Sequence, residues 1–373
     1  MAGKKKKVRA NFRKNRNVRV RKNDWTSEKG KTDAEDAASS QSVTGKGEFT
    51  RKRTVAGAEL VEDASGEEVL LLDVDQEACS LGRVLRVQGL VSVVQLADGT
   101  LRNCATRRLL KTLSTDQRHV VAAGDRVWVR PEGEDEGFIE RVEPRRGVIS
   151  RTSRGRRHVI VTNVDQVLIV ASAAEPRVKP NLIDRYLIAA EKYGIEPVIC
   201  INKIDLIDPA ELQPLVGVYA QLGYRVLLIS ATTGQGMERL RAILAGRQSA
   251  VAGQSGVGKS SLLNSLEPSL GLRVQTVSTD NDKGRHTTTT AEMIPLASGG
   301  YVVDTPGIRQ FQLWDVIEEE LDGFFRELRP YVSQCRYPDC THDHEEPCAV
   351  KDAVADGYIN LRRYESYLQM LQS

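Results

Sequence analysis

The sequence predicts an α/β protein in three parts. An all-β barrel comes first, then a mostly parallel sheet covered by helices on both faces, then a small metal-binding helical segment. Three observations carry this reading. Between Val148 and Ile308, apolar strand-like runs alternate with helical stretches. Before them, residues 78–143 hold five short β-like runs separated by turn signals, and after them three cysteines and a histidine fall within fourteen residues. Alternating strands and helices make a parallel sheet, because each crossover between parallel strands is supplied by a helix.

Length and composition set the frame. At 373 residues, 40% apolar and 28% charged, the chain has an ordinary globular composition and room for two or three domains. No apolar run approaches the roughly 20 residues that span a bilayer, and no apolar stretch follows the basic start as in a secretory signal. A cytoplasmic protein with no membrane partner is expected.

The net charge of +3 hides an uneven distribution. Residues 4–22 hold eleven Lys or Arg and no acid, which leaves −8 for the rest. Such a block repels itself and has little apolar surface to bury, so residues 1–69 are expected to form a disordered basic arm. An unfolded cationic arm gains affinity for polyphosphate by releasing counterions. Asn, Arg and Lys around Phe12 point to folded RNA rather than a membrane; a solubilising tail is the plainer alternative.

Residues 70–147 are expected to form the barrel. Ala78–Val87 alternates and breaks at Gln88-Gly89; Leu90–Leu96 runs into the turn Asp98-Gly99, and Leu101–Ala105 follows as a hairpin partner. Gly124–Val129 and Gly137–Val142 supply two more strands. Five short strands with this punctuation predict an OB-fold, a barrel that commonly binds nucleic acid. Its aromatics are Trp128 and Phe138, both of which also fit the core, so contacts with RNA backbone and shape are expected rather than base stacking.

Residues 148–312 hold the helix-covered sheet. Strands are expected at Gln166–Ala171, Pro197–Ile201, Arg225–Ser230, Ser249–Ala252, Ala291–Pro295 and Tyr301–Val303. Helices are expected at Leu182–Tyr193, Pro209–Leu222, Gly236–Leu244 and Ser260–Leu266. Three motifs fall at the strand ends. G-x-x-x-x-G-K-S occupies Gly253, Gln254, Ser255, Gly256, Val257, Gly258, Lys259 and Ser260. Its backbone amides form a concave nest for phosphates, Lys259 reaches the β- and γ-phosphates, and the Ser260 hydroxyl ligates Mg²⁺. The helix that follows aims its positive end at the same anion.

Asn202-Lys203-Ile204-Asp205 reads guanine. The Asp205 carboxylate accepts both N1–H and the exocyclic amine, an arrangement adenine lacks, while Asn202 and Lys203 brace the loop and flank the base. Ser230-Ala231 follows an apolar strand as the loop behind the base. In the D-x-x-G motif Asp304-Thr305-Pro306-Gly307, Asp304 holds Mg²⁺ through water and the Gly307 amide senses the γ-phosphate. Each motif alone recurs by chance, and a lone phosphate loop would suit an ATPase equally; three together at strand ends indicate GTP. Their order is permuted, because the guanine reader precedes the phosphate loop and D-x-x-G comes last. The fold class is therefore α/β: a circularly permuted P-loop GTPase domain, preceded by an all-β OB-fold barrel and followed by a small zinc-binding helical domain.

The last part is residues 313–373. Cys335, Cys340, His342 and Cys348 are spaced C-x₄-C-x-H-x₅-C. Three thiolates and one imidazole suit a closed, tetrahedral, structural Zn²⁺ site. The expected compartment and the intervening His weigh against disulfides, and His344 is an alternative ligand. Cys79 and Cys200 fall in expected strands and read as core residues. A bound metal supplies folding energy that so polar a segment lacks, and an amphipathic helix over residues 351–372 is expected beside it.

Taken together, these parts resemble the RsgA family of small ribosomal subunit biogenesis GTPases. The likeness covers residues 78–373 and rests on GQSGVGKSS, NKID, DTPG, KGRHTTT and the Cys/His cluster. It implies a GTPase that binds the maturing small ribosomal subunit and its rRNA late in assembly, is stimulated by it, and helps to release other factors as GTP becomes GDP. The resemblance carries GTP contacts over to Asn202–Asp205 and Gly253–Ser261, including Ser261, and zinc binding to the four Cys/His positions. A monomer is expected. Two departures stand out: a longer basic arm, and no aromatic in Gln88-Gly89-Leu90.

Lys283–Thr290 lies where an effector loop belongs, and either Thr287 or Thr288 is expected to close on Mg²⁺ and the γ-phosphate. Ile308 follows Gly307, where Ras-like enzymes place the glutamine that orients water, so intrinsic hydrolysis should be slow. The resemblance points to His286 for that task, and the near-neutral pKa of an imidazole suits proton handling; a solvated or RNA-facing histidine is the alternative. The chain leaves the sheet after Gly307 and reaches the zinc segment through Phe311-Gln312-Leu313-Trp314, so nucleotide state is expected to bias that segment. Two rival functions fit part of the sequence. A signalling or metabolic GTPase leaves arm, barrel and zinc segment unexplained, and an RNA-binding scaffold that holds GTP without turnover is favoured by the missing glutamine.

Overall fold

The computed structural model describes residues 7–11, 43–44, 52–62, 68–107, 110, 120–153, 156–271, 291–304 and 320–372. They form two compact units that divide between Asn163 and Val164, with the stretch ending at Met293 belonging to the first.

In the first unit, β1 (Lys7–Asn11), β2 (Val43–Thr44) and β3 (Lys52–Ala56) form an antiparallel sheet with β3 central. These strands fall inside the stretch read as an unfolded arm; most of that stretch lies outside the described residues. A hairpin of β4 (Ala58–Glu62) and β5 (Glu68–Leu72) follows. Its Ala58 and Leu72 are buried in the barrel core, so the packing of that domain begins ahead of residue 70.

The barrel has five strands: β6 (Ser80–Gln88), β7 (Val91–Leu96), β8 (Leu101–Thr106), β9 (Arg126–Glu132) and β10 (Glu136–Val142). β6 pairs with β7 and β7 with β8, both antiparallel; β8 runs parallel to β10; β10 and β6 both pair with β9, which closes the barrel. That circuit is the OB-type barrel. Alternation along the strands turns Val84, Val94, Cys104, Val127, Val129 and Ile139 inward. Trp128 and Phe138 sit between inward positions and therefore stand half-buried on the outer face, not in the core. Each lies under a guanidinium, Arg141 at 5.5 Å from the Trp128 ring and Arg130 at 5.7 Å from Phe138.

Past the barrel, β11 (Ile149–Ser153) and β12 (Arg156–Val161) form a hairpin. Asp125, fully buried, fixes its end by accepting from Arg145 at 2.7 and 2.8 Å and from the Thr162 hydroxyl at 2.7 Å. A buried carboxylate needs such partners. Cys79 is buried but precedes β6 rather than lying within it, and Cys104 in β8 is a further core cysteine.

The second unit carries β13 (Gln166–Ser172), α1 (Pro180–Lys192), β14 (Glu196–Asn202), α2 (Gln213–Gln221), β15 (Arg225–Leu228) and α3 (Met237–Leu244). It continues with β16 (Gln248–Ala252), α4 (Lys259–Leu266), and, after β17 (Glu292–Pro295), β18 (Tyr301–Asp304). The order β15-β14-β13-β16-β18 is parallel throughout. Every residue of β13 and β16 is buried, as expected for central strands with both faces covered. The helix expected over Pro209–Leu222 begins instead as a 3₁₀ turn, Pro209–Leu212, capped by the Asp208 carboxylate, before α2 starts at Gln213.

Among the described residues four further helices follow in this unit: α5 (Leu321–Phe324), α6 (Arg329–Val332), α7 (Ala349–Ala355) and α8 (Leu361–Leu371). The single terminal helix expected over 351–372 is thus two. Gly357 at φ +78° ends α7, with its N–H on Val354 and that of Tyr358 on Ala353, and Asn360 caps α8 by accepting from Arg362 N–H at 3.1 Å.

Candidate functional site

The site forms at the carboxyl ends of the parallel strands. β16 ends at Ala252, residues 253–258 form a loop, and α4 opens at Lys259 with Ser260 and Ser261 in its first turn. Gly253, Gly256 and Gly258 have φ of +145°, +82° and +90°. A Cβ on Gly258 would come within 2.5 Å of the Asn202 side-chain nitrogen, so glycine is required there on two counts. Lys259 Nζ donates to the carbonyls of Gly253 at 2.7 Å and Gln254 at 2.6 Å, which lays the ammonium across the loop. Ser255 is exposed and Val257 buried, while Gln254, Gly256, Ser260 and Ser261 are half-buried.

One amide joins the pieces. Asn202, buried at the end of β14, donates from Nδ2 to the Val257 carbonyl at 3.0 Å and accepts from the Ala231 N–H at 3.1 Å. Lys203 takes a left-handed φ of +63° and donates to the Glu175 carbonyl. Ile204 is buried, whereas Asp205 stands exposed at the rim. Ser230 is buried, and its hydroxyl accepts from Thr233 N–H at 3.1 Å. Asn202–Asp205, Ser230-Ala231 and Gly253–Ser261 are therefore brought together.

Asp304 ends β18, whose register with β16 pairs Val303 with Ala250, so its backbone lies at the same sheet edge. Thr305–Gly307, Ile308, Phe311–Trp314 and the loop Lys283–Thr290, with His286, Thr287 and Thr288, lie outside the described residues.

Sequence reasoning missed a small cleft beside the phosphate loop. Leu182, Ile183, Tyr186, Gln254 and Val257 are among its lining residues. It occupies the point where the chain's path through the sheet reverses between β13 and β16, the usual place for ligand crevices in such sheets. Burial pushes the Tyr186 phenol above the ordinary value.

The Cys/His segment closes on itself. Cys335, Cys340, His342 and Cys348 bring their donor atoms within 4.8 Å of one another. His342 Nδ1 is 3.5 Å from Cys335 Sγ and 3.4 Å from Cys348 Sγ, and those two sulfurs are 3.8 Å apart. Metal–ligand lengths of about 2.0–2.1 Å to nitrogen and 2.3 Å to sulfur in a tetrahedron give edges of about 3.6 and 3.8 Å. The residues fit zinc. Burial pushes the Cys340 thiol up to about 12, so its ionisation calls for a cation beside it. His342 presents its other nitrogen to Asp322 at 3.5 Å. Tyr364 and Tyr367 donate to the carbonyls of His342 at 2.6 Å and Thr341 at 2.8 Å. His344 is 80% exposed and stands apart from the cluster. Elsewhere, burial pushes the thiols of Cys104 and Cys200 up to about 12, as befits unreactive core residues.

A buried ion network joins this lobe to α1. Arg363 is 1% exposed and reaches both Asp184 on α1 and Glu327 at 2.5 Å. Glu191 on α1 takes Arg326 at 2.7 Å and Arg329 at 2.9 Å. Ile188 of α1 packs in one apolar cluster with Phe325, Tyr367 and Cys348.

A family model for the RsgA GTPase matches residues 142–314. The chain is 41% identical over 298 residues to the small ribosomal subunit biogenesis GTPase RsgA of Sodalis glossinidius, covering 78% of this chain and 85% of that one. It is 43% identical over 290 residues to the protein of the same name from Moorella thermoacetica, covering 78% and 96%. Among solved structures it is similar to YjeQ from Thermotoga maritima, with a TM-score of 0.66, 36% identity, and 79% and 98% of the two chains covered. It is also similar to YloQ, described as a circularly permuted GTPase, with a TM-score of 0.64, 29% identity, and 80% and 96% covered.

Proposed function

The chain belongs to the RsgA GTPase family, and from that premise we propose that it binds the maturing small ribosomal subunit and acts late in its assembly. As a member of that family it is a GTPase. In this reading the subunit stimulates hydrolysis, and hydrolysis drives release of other assembly factors. The barrel and the basic arm hold rRNA, and the protein acts as a monomer.

The observation that carries the nucleotide half is the buried Asn202 amide, which holds the guanine-reading strand end, the phosphate loop and Ala231 in one constellation. Asp205 then reads the base, Gly253–Gly258 cradle the phosphates, and Lys259 carries positive charge to them. Ser260 and Asp304 would hold Mg²⁺, which neutralises phosphate charge when bound. Cys335, Cys340, His342 and Cys348 would hold zinc as a structural ion. His286 and one of Thr287 or Thr288 complete the catalytic set. The ribosomal half is supported by the names of the relatives. Among the described residues no helix is long and apolar enough to cross a membrane.

Co-sedimentation tests the ribosomal half. With a non-hydrolysable GTP analogue the protein should pellet with purified small subunits and not with large ones. Failure to pellet with small subunits would overturn it.

A further inference from the structure

Left-handed backbone at a residue that carries a Cβ survives only where its neighbours impose it. Among the described residues four non-glycine positions have positive φ: Asn163, Glu175, Lys203 and His342. His342 belongs to the metal cluster, and Glu175 and Lys203 are hydrogen-bonded to each other. Glu175 sits at φ +52° and Lys203 at +63°, and the Lys203 ammonium donates to the Glu175 carbonyl. The Glu175 side chain is exposed, so it is the backbone of this residue that meets the guanine-reading motif.

The turn that presents this carbonyl is pinned at its start. β13 and β14 pair in parallel to their ends, Ser172 beside Asn202, and the Ala173 N–H donates to the Asn202 carbonyl at 2.8 Å. The buried Ser172 hydroxyl donates to the Ala174 carbonyl, which turns the chain just before Glu175. On the other side, a Cβ on Gly258 would lie 3.9 Å from Lys203 Cε, so the lysine stem runs beside the last glycine of the phosphate loop. Lys203 is thereby held between that loop and the Glu175 carbonyl, two positions ahead of Asp205.

We propose that Glu175 is a positioning residue for guanine recognition: its left-handed backbone aims the carbonyl that fixes Lys203, and through Lys203 the Asp205 carboxylate. The proposal rests on the assignment of Asn202–Asp205 as the guanine reader, so Asp205→Asn is measured beside it.

The experiment titrates GDP and inosine diphosphate, which lacks only the exocyclic amine, into full-length protein by calorimetry, with circular dichroism checked for each variant. Glu175→Val puts a β-branched side chain where left-handed backbone is most disfavoured. It should weaken GDP binding roughly tenfold and inosine diphosphate binding roughly threefold, so the preference for guanine falls. Glu175→Asn and Glu175→Gly adopt the conformation readily and should keep both affinities within about twofold of the unaltered chain. In a Lys203→Met background Glu175→Val should add nothing further, since both act through one ammonium. Unchanged affinities in Glu175→Val, or equal losses for the two nucleotides, would overturn the positioning role. Defects in Glu175→Asn and Glu175→Gly as large as in Glu175→Val would trace the effect to the lost carboxylate and overturn it too. Multiplying effects of Glu175→Val and Lys203→Met would overturn the path through Lys203. If Glu175→Val fails to fold, Glu175→Ala takes its place, with a smaller loss expected in the same direction. An unaltered preference in Asp205→Asn would mean that the guanine-reader assignment is wrong, whereas an altered Asp205→Asn beside a normal Glu175→Val sinks this proposal alone.

Discussion

The Asn202 side chain donates to the Val257 carbonyl at 3.0 Å across 55 positions of sequence. The guanine reader ends β14 and the phosphate loop follows β16, and these strands flank β13 in the sheet, so the bond spans the end of the central strand. The same amide accepts from Ala231 N–H, so one side chain sets the distance between base and phosphate subsites.

Asn202→Ala removes both bonds and leaves a buried carbonyl and N–H unpaired. Affinity for GDP should fall by roughly ten- to a hundredfold, given about 1 kcal/mol or more for each bond. Calorimetry checks it, and an unaltered dissociation constant would show that the two loops hold themselves in place.

Asp205 is exposed at the rim, where a base can reach it. Asp205→Asn should weaken GTP binding and favour xanthine nucleotides, since the amide offers a donor where guanine also presents one. Competition between GTP and xanthosine triphosphate measures the switch; retained preference for GTP would remove Asp205 from the base-reading role.

Metal analysis should return about one zinc per chain. Cys340→Ala, or stripping with a strong chelator, should open the apolar cluster around Phe325 and Tyr367 to limited proteolysis, with cleavage beyond Leu321. A metal-free protein with a protease-resistant lobe would contradict the assignment.

Truncation of the basic arm should stop at residue 51, because Ala58 is buried in the barrel core. The shortened protein should bind GDP normally and small subunits weakly. Each of the eleven cations in residues 4–22 that meets a phosphate adds about 0.7–0.9 to the slope of log affinity against log salt. If half engage, truncation flattens the slope by several units, with the largest defect at low salt. An unaltered slope would reduce the arm to a solubilising tail.

Much of this molecule was legible in the sequence because its motifs are backbone requirements. Gly253, Gly256 and Gly258 announce positive φ, Asp98-Gly99 announces a hairpin, and apolar runs such as Val167–Val170 announce central strands. What stayed hidden depends on partners distant in sequence. Arg363, in a polar-looking helix, reads as a solvent-facing charge until Asp184 and Glu327 appear beside it. Tyr186 looks like any helix aromatic until the fold sets it beside Gln254 and Val257 in the wall of one cleft. Trp128 and Phe138 fit a core by composition, yet strand alternation sends them outward. The break in the terminal helix was visible in Gly357 and Asn360, a stop and a start signal that the amphipathic pattern overrode.

GTP turnover by the purified full-length chain, measured alone, with small ribosomal subunits and with large ones, bears most directly on the central claim. Slow turnover alone, accelerated at least about tenfold by small subunits and unchanged by large ones, is the predicted result. Equal rates in all three, or no turnover in any, would contradict it.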